Sequence, residues 1–195
     1  MPYFFERRTV IKSLACISAL AATPSFLTCA YAANEKPLLL YFSRSGNTRK
    51  LAQMITTRVQ ADSLELTPLK PYPDAYQACV DQAKKEQKEN ARPKLSNDLS
   101  LLDNYQIIFL GYPNWWGTMP MFFFTMLEAH PMAGKTIIPF CTHGGSQFGN
   151  SIRDLKKLCP KAKIAKGLAI PGTDVGSSER KVAAWLSELG LASKS

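Results

Sequence analysis

The sequence lacks the patterns that mark a metal site or a nucleotide-binding loop of the common kinds. It has two histidines, five cysteines and no Cys-x-x-Cys pair, so no metal ligand is assigned. The polar stretch 43–48, which follows the first apolar run of the mature chain, has neither the Gly-Lys-Ser/Thr of a Walker loop nor the Gly-x-Gly-x-x-Gly of dinucleotide folds. Cys79, Cys141 and Cys159 follow the N-terminal segment, and their spacing is compatible with one disulfide or with buried free thiols. No repeat or low-complexity tract is present, and 195 residues with 46% hydrophobic content suit one globular domain.

The chain also lacks an apolar run long enough for a transmembrane helix. Its N-terminal apolar segment, 13–28, is only moderately hydrophobic and is interrupted by Pro24. The pair Arg7-Arg8 precedes this segment, and small residues follow it up to Ala32. This pattern predicts a signal peptide over residues 1–32, cleaved after Ala32, and no stable membrane insertion of the mature chain.

The charged start of this segment indicates the route of export. Glu6 to Lys12 has paired arginines followed by apolar residues and a lysine, which resembles a twin-arginine signal. An ordinary secretory signal is the alternative, and lipoprotein processing at Cys29 is disfavoured because Thr28 is not the usual small residue before such a cysteine. The twin-arginine route resembles a path for proteins that cross already folded, so we expect a periplasmic protein with a bound cofactor.

Acidic residues are scarce relative to basic ones. The full chain has 24 basic and 15 acidic residues, and removal of residues 1–32 leaves 21 and 14, a net charge of +7. The lysines are spread over 84–94, 156–166 and the C-terminus instead of clustering with aromatic residues, so nucleic-acid binding is not expected. A basic surface favours association with an acidic partner.

Apolar runs alternate with helical patterns along the mature chain. Strands are predicted at 37–43, 63–69, 105–112, 136–141 and 163–170, and helices at 48–60, 75–90, 119–129, 150–159 and 177–189. The helix over 75–90 is rich in lysine and glutamate and is expected to be mostly exposed. This order predicts an α/β fold, in which a five-stranded parallel sheet is covered by helices on both faces. Ligands bind such sheets beyond the carboxyl ends of the strands, where the strand order reverses.

Loop 1, Ser43–Thr48, follows the first predicted strand and has the composition of an anion site. It contains three hydroxyls and a glycine that allows close approach of the backbone. The amides at the start of the following helix lack acceptors within that helix, and together with the hydroxyls they suit a phosphate monoester. Arg44 and Arg49 either add positive charge to this site or face solvent.

Loops 2 and 3 follow the third and fourth predicted strands. Loop 2, Gly111–Pro120, contains Trp115 and Trp116, which cannot both point inward from an extended loop, so at least one ring should face solvent or a flat ligand. Loop 3, Thr142–Asn150, contains three glycines whose amides can bind the polar edge of a heterocycle. His143 is expected near the ligand, but it has no paired carboxylate or nucleophile in the sequence, and no catalytic residue is assigned.

The segments SRSGNT, PNWWGTMP and THGGSQFGNS, in this order, resemble the three FMN-contacting loops of the flavodoxin family, particularly its short-chain branch. The resemblance covers about 37–191 and implies a doubly wound sheet of order 2-1-3-4-5 with FMN as the cofactor. It implies that the phosphate is bound by Ser43, Ser45, Gly46, Asn47 and Thr48, with Arg44 beside them. It also implies that the flavin ring is flanked by Pro113, Asn114, Trp115, Trp116 and Gly117, and on its other side or edge by Thr142, Gly144, Gly145, Ser146 and Phe148, with His143 among them.

Two departures from the family pattern bear on function. The chain is basic and predicted to be exported, whereas flavodoxins are usually acidic and cytoplasmic. Loop 3 lacks the aspartate and stacking tyrosine of the best-known flavodoxins, which leaves Phe148 or His143 as substitutes. The resemblance implies a periplasmic one-electron carrier, monomeric or homodimeric, that exchanges electrons with a redox partner protein. The alternatives are an FMN-dependent NAD(P)H:quinone-type oxidoreductase, for which no nicotinamide fingerprint is present, and a cofactor-free binding module.

Overall fold

Parallel strands form a single sheet whose order is the one expected from the sequence. The structure is a computed structural model that describes residues 36–191, so the signal peptide prediction falls outside the described residues. The strands are β1 (Leu38–Tyr41), β2 (Asp62–Glu65), β3 (Ile107–Pro113), β4 (Thr136–His143), β5 (Lys163–Ile164) and β6 (Leu168–Pro171). They run in the order β2-β1-β3-β4-β5, and β6 pairs with a later part of β4 than β5 does. This order confirms the flavodoxin-like α/β fold.

Helices cover both faces of the sheet and give the expected three layers. They are α1 (Asn47–Val59), α2 (Tyr76–Lys88), α3 (Met121–Ala129), α4 (Ser151–Leu158) and α5 (Glu179–Glu188), with 3-10 turns at Ser100–Asn104 and Gly172–Ser177. Side chains of α1 and α5 form one hydrophobic cluster with the sheet, and side chains of α3 and α4 form a second cluster on the opposite face. The chain therefore changes sides of the sheet between α1 and α3.

Apolar residues alternate between these two clusters along the central strands. In β1, Leu38 and Leu40 belong to the α3 and α4 cluster, whereas Leu39 belongs to the α1 and α5 cluster. This alternation follows from the period of two in a strand, and it explains why the run reads as continuously apolar. Full burial of one such leucine contributes about 2 kcal/mol.

The fifth predicted strand is divided into β5 and β6, both of which pair with β4. Between the β4–β5 pairs and the β4–β6 pairs, β4 has two residues, 138–139, whereas the segment that joins β5 to β6 has three, 165–167. The extra residue is accommodated as a bulge. Pro139 lies in this part of β4 and has no amide hydrogen to donate. The Ile137 carbonyl accepts a hydrogen bond from the Ala165 amide. Because the backbone groups of alternate residues in a strand point to the same side, position 139 also faces the segment that joins β5 to β6. The missing donor therefore coincides with the interruption.

Gly111 and Phe140 lie opposite each other in β3 and β4, where loop 2 begins and shortly before loop 3. A Cβ atom at Gly111 would lie 2.0 Å from Phe140 Cζ, so the ring occupies the space that a side chain would take. This close approach leaves no room for a side chain at position 111.

The three cysteines in the described part of the chain are buried and free. Burial raises the pKa of Cys141 to about 12 and that of Cys159 to about 11, so both thiols remain protonated near neutral pH. Within residues 36–191, no helix is both long and apolar enough to cross a bilayer. Over the same residues, no group of three or more His, Cys, Asp or Glu side chains is placed to hold a metal ion.

Candidate functional site

The three loops meet at the carboxyl ends of β1, β3 and β4, where the chain changes sides of the sheet. We name the hollow between them the central cavity; its volume is about 580 Å³. It is lined by Ser45, Asn47, Tyr76, Pro113, Asn114, Trp115, Thr142, His143, Gly144, Gly145, Pro171, Gly172 and Thr173. The topology thus brings together residues from all three loops identified in the sequence.

Loop 1 carries hydrogen-bonding groups that have no partner within the protein. Ser43 is only 7% exposed, and its Oγ has no hydrogen-bond partner among the described residues. Gly46 is the N-cap of α1, with φ of 87°, and it has no side chain to cap the first amides of the helix. A Cβ atom at Gly46 would meet nothing within 4 Å, so the backbone is open to a ligand. These groups suit a phosphate at the positive end of the helix.

Thr48 joins loop 1 to loop 3 instead of standing free. Its side chain is 2% exposed, and its Oγ1 lies 2.8 Å from Thr142 Oγ1 in a buried hydrogen bond. A contact between Thr48 and a phosphate remains a prediction, and this hydroxyl would have to serve both groups. The pair links the first turn of α1 to the carboxyl end of β4.

The two arginines of this region have different surroundings. Arg49 forms a two-pronged ion pair with Glu65, through Nε at 2.9 Å and Nη2 at 2.6 Å, and points away from the central cavity. Arg44 donates from Nη2 to the Asp74 carbonyl at 2.5 Å and lies 5.7 Å from the centre of the Tyr76 ring. Its Nε is buried without a hydrogen-bond partner in the part of the chain that the structure describes, and its guanidinium opposes the effect of burial, which raises the pKa of the nearby Cys79 thiol. Arg44 is therefore the arginine available to a ligand.

Loop 2 turns through a two-residue hairpin with an unusual backbone. Trp115 N–H donates to the Thr118 carbonyl at 2.8 Å, and Thr118 N–H donates back at 3.1 Å. Between them, Trp116 and Gly117 both have positive φ, 52° and 83°, as in the turns that favour Asn-Gly. A bulky residue in this conformation is disfavoured, so contacts of the Trp116 ring must hold it.

This turn sends the two tryptophans in different directions. The Trp115 ring packs edge-on against Phe42 and Tyr72, with centroid distances of 5.7 and 5.0 Å. Trp116 is 47% exposed; its Nε1 donates to the Val80 carbonyl at 3.1 Å, and Lys84 Nζ lies 4.7 Å above its ring. The expectation that one ring faces outward is met by Trp116, and Trp115 forms the wall of the central cavity.

Asn114 ties loop 2 to loop 3. Its backbone N–H donates to the Thr142 carbonyl at 2.8 Å, and its Nδ2 donates to the Gln147 carbonyl at 2.5 Å. Its Oδ1 is buried and has no partner within the described residues. Asn114 therefore offers one acceptor to a ligand that carries an N–H or O–H group.

His143 is held in a single orientation by its own loop. The imidazole is 8% exposed, and the Gly145 N–H donates to Nδ1 at 2.9 Å, which assigns the proton of the neutral ring to Nε2. Burial lowers the pKa of His143, opposed by attraction to the Asp174 carboxylate, so the ring is neutral at pH 7. It can thus offer a hydrogen-bond donor to the cavity without a positive charge.

Ser43, Gly46 and Thr48 of loop 1 line neither this cavity nor the smaller one described below, and three further predicted contact residues also lie away from both. Gly117 accepts the Asn150 N–H at 2.6 Å, and Ser146 is exposed at the outer part of loop 3. The Phe148 ring packs against the core, where a Cβ at Gly167 would lie 2.6 Å from its Cζ. Direct contacts of these three residues with a cofactor remain predictions.

A second, smaller hollow was not expected from the sequence. We name it the side cavity; it lies between loop 2 and α2 and has a volume of about 390 Å³. Its lining includes four α2 residues, Tyr76, Cys79, Val80 and Ala83. Their spacing of i, i+3, i+4 and i+7 places them on one helix face. This stripe on α2 is a sequence signal from which the four lining residues could have been predicted. The rest of α2 is mostly exposed, as expected.

This combination of fold and loops defines a flavodoxin-like α/β protein. The family model for flavodoxin matches residues 36–189, so the chain belongs to the flavodoxin family. Similar solved structures include a candidate flavoprotein from Bacteroides eggerthii, with 31% identity, TM-score 0.71 and coverage of 80% of this chain and 99% of that one. A candidate flavoprotein from Bacteroides uniformis shares 30% identity, with TM-score 0.70 and coverage of 78% and 98%. A flavoprotein from Lactobacillus acidophilus, in complex with FMN, shares 22% identity with TM-score 0.58 and coverage of 73% and 97%, a likeness of fold.

No curated protein matches this chain. Family membership supports FMN as the cofactor, in agreement with the loop motifs. The residues present also fit this group, because the uncapped start of α1 and the unpartnered Ser43 hydroxyl suit a phosphate. The unpartnered Asn114 oxygen and the loop 3 amides suit the polar edge of a ring.

Proposed function

We propose that this protein is an FMN-binding electron carrier of the bacterial periplasm. The observation that carries the proposal is the central cavity, which joins an anion site in loop 1 to an aromatic wall and polar groups in loops 2 and 3. Tyr76, which is 72% exposed, borders the same cavity. A flavin ring held there would have an edge close to the surface, where another molecule can approach it.

Bound FMN would supply the redox chemistry, and the protein would supply binding and surroundings. The amides at the start of α1 and the Ser43 hydroxyl would hold the phosphate. Trp115 would exclude water from one side of the ring, and the Nε2–H of His143 and the Asn114 oxygen would bind its polar groups.

The proposed location rests on the N-terminal segment, and the proposed partner rests on charge. Residues 1–32 have the pattern of a twin-arginine signal, and export of a folded chain would allow FMN to be loaded before export. The net charge of +7 on the remaining chain favours association with an acidic redox protein. We propose that the protein works as a monomer or homodimer.

Purification of the full-length protein from a flavin-replete host tests the cofactor and the activity together. The expected product is yellow, takes up one FMN per chain and is reduced in two separate one-electron stages during photoreduction. Reduction in a single two-electron stage, with rapid turnover of NADH and a quinone, would favour the oxidoreductase instead. A colourless protein that takes up no FMN on titration would revert the assignment to a cofactor-free binding module.

Cell fractionation tests the location separately. Replacement of both Arg7 and Arg8 by lysine should retain the precursor in the cytoplasm if the twin-arginine route is used. The matched control is Lys12→Arg, which keeps the paired arginines and the positive charge. Equal periplasmic recovery of both variants would indicate the ordinary secretory route.

A further inference from the structure

A segment outside the three loops also reaches the central cavity. The chain that leaves β6 contributes Pro171, Gly172 and Thr173 to the lining, and Gly172 begins the 3-10 turn Gly172–Ser177. This turn packs against α1. The motifs of loops 1, 2 and 3 do not include it, so its part in the site is seen only in the structure.

Gly172 lies directly against Asn47 of loop 1. A Cβ atom at Gly172 would lie 2.8 Å from Asn47 Nδ2 and 3.9 Å from the His143 carbonyl oxygen. The Asn47 amide thus occupies the space that a side chain at position 172 would take. Gly172 does not have a positive φ, so its backbone conformation is open to other residues. The feature that requires glycine here is the close approach of Asn47.

The backbone on either side of this contact is held in place. Asn47 begins α1, and the next residue, Thr48, is fixed by its buried hydrogen bond to Thr142. On the other side, Val175 of the 3-10 turn is buried in the α1 and α5 cluster. Side chains in a helix have few favourable χ1 orientations. A methyl group at position 172 would therefore be accommodated by turning the Asn47 side chain out of its present direction.

The Asn47 amide is placed to serve an anion. Its Nδ2 carries two hydrogen-bond donors, and Asn47 lines the central cavity next to the uncapped N-terminus of α1. A phosphate at a helix N-terminus accepts hydrogen bonds from such neighbouring donors as well as from the backbone. The direction of the amide therefore affects how well a phosphate is bound.

From these contacts we infer that Gly172 is a positioning residue, which leaves free the space that the Asn47 amide needs in order to bind the phosphate of the cofactor. Gly172 acts through Asn47 and not through a contact of its own with the ligand. The inference rests on the proposed function in taking FMN as the ligand, whereas the contact between the two residues belongs to the protein alone.

Titration of the flavin-free full-length protein with FMN and with riboflavin, followed by flavin fluorescence, tests the inference. Riboflavin has the same ring and ribityl chain as FMN but no phosphate. Gly172→Ala should weaken FMN binding about fivefold or more and riboflavin binding by less than about twofold, because only a phosphate contact is lost.

The matched control is Gly176→Ala, which makes the same change in the same 3-10 turn. Gly176 also lacks a positive φ, and a Cβ atom there would lie 3.4 Å from the end of the flexible Lys50 side chain. We expect both flavin affinities to be unchanged in this variant.

A double-mutant cycle shows whether the effect passes through Asn47. Asn47→Ala removes the amide and should by itself lower the affinity for FMN relative to riboflavin. In that background Gly172→Ala should have no further effect, because no amide remains to be displaced. A general loss of stability would instead weaken the binding of both flavins and would persist in the Asn47→Ala background.

The direction of the Asn47 side chain can also be followed without a ligand. In NMR spectra of the flavin-free protein, the side-chain amide signals of Asn47 are assigned by their loss in Asn47→Ala. These signals should shift in Gly172→Ala and stay in place in Gly176→Ala.

Three results would overturn the inference while leaving the proposed function intact, provided that the wild type binds FMN. The first is an unchanged FMN affinity in Gly172→Ala, and the second is an equal weakening of FMN and riboflavin binding. The third is an undiminished effect of Gly172→Ala in the Asn47→Ala background. A wild-type protein that bound neither flavin would overturn the proposed function, and the role of Gly172 in phosphate binding with it.

Discussion

The side chains around the candidate site fall into two sets, which differ in whether their groups already have contacts within the protein. We call the first the closed group: Trp115, Thr48, Thr142 and His143 are packed or hydrogen-bonded within the chain. We call the second the open group: Ser43, Arg44 and Asn114 each have a buried polar atom without a hydrogen-bond partner among residues 36–191, and Trp116 has a half-exposed ring. The closed group should determine stability, and the open group should determine ligand binding.

The largest effect is expected at Trp115. Trp115→Ala removes a ring packed against Phe42 and Tyr72, and we expect a loss of about 3 kcal/mol in the free energy of unfolding. Trp116→Ala is the matched control in the open group and should cost no more than about 1 kcal/mol, because its ring is half exposed and the change removes a bulky residue from positive φ. Urea denaturation measures both. Equal losses would mean that the two tryptophans do not differ as described.

A smaller effect is expected at the Thr48–Thr142 pair. Thr48→Val leaves the buried Thr142 hydroxyl without its partner, and we expect a loss of about 2 kcal/mol in stability. The double variant Thr48→Val with Thr142→Val removes both hydroxyls and should recover much of this loss. Additive losses in the double-mutant cycle would contradict the pairing.

Ser43 provides the corresponding test of the open group. Its hydroxyl has no hydrogen-bond partner within the described stretch 36–191, so Ser43→Ala should change stability by less than about 0.5 kcal/mol. The affinity for FMN should fall by about 1 kcal/mol, or roughly fivefold, if the hydroxyl binds the phosphate. Ser63→Ala, on an exposed position of β2, is the control. Unchanged FMN affinity in Ser43→Ala would remove this residue from the phosphate site.

The smallest effect is expected from pH. Burial lowers the pKa of His143 in the folded state, so the unfolded chain binds a proton more readily. The contribution of neutral His143 to stability is therefore fully present above the ordinary pKa of about 6.5 and decreases as pH falls toward the lower folded pKa. Attraction to Asp174 reduces this decrease. Unfolding measured at pH 7.5 and 5.5 should show a smaller difference in His143→Gln than in the wild type.

Local patterns predict most of this fold. The apolar runs before loops 1, 2 and 3 identify the three central strands, since burial on both faces leaves no polar alternation. The break between β5 and β6 was not predictable from the local sequence, because it coincides with Pro139 on the neighbouring strand, some 25 residues earlier. The missing amide hydrogen of Pro139 and the break that it faces thus lie on segments that are distant along the chain.

The site is predictable to a similar extent. The composition of loop 1 predicts an anion site because the relevant groups are adjacent in sequence. The hydrogen bond between Thr48 and Thr142 joins residues far apart in the chain, and the direction of each tryptophan depends on the backbone of Trp116. Neither the hydrogen bond nor the directions of the tryptophan rings can be predicted from the neighbouring residues in the sequence. The stripe on α2 has a local signal, but the charged residues around it on the helix obscure it.

The contact between Gly111 and Phe140 has a consequence for how this chain can diverge. Phe140 is fully buried, so its ring cannot move aside for a methyl group at position 111. A change from glycine is therefore tolerable only together with a smaller residue at 140, such as leucine, and homologous chains should show the two positions varying as a pair. Because Gly111 begins loop 2 and Phe140 shortly precedes loop 3, such a compensatory exchange would fall at the edge of the sheet that bears the candidate site.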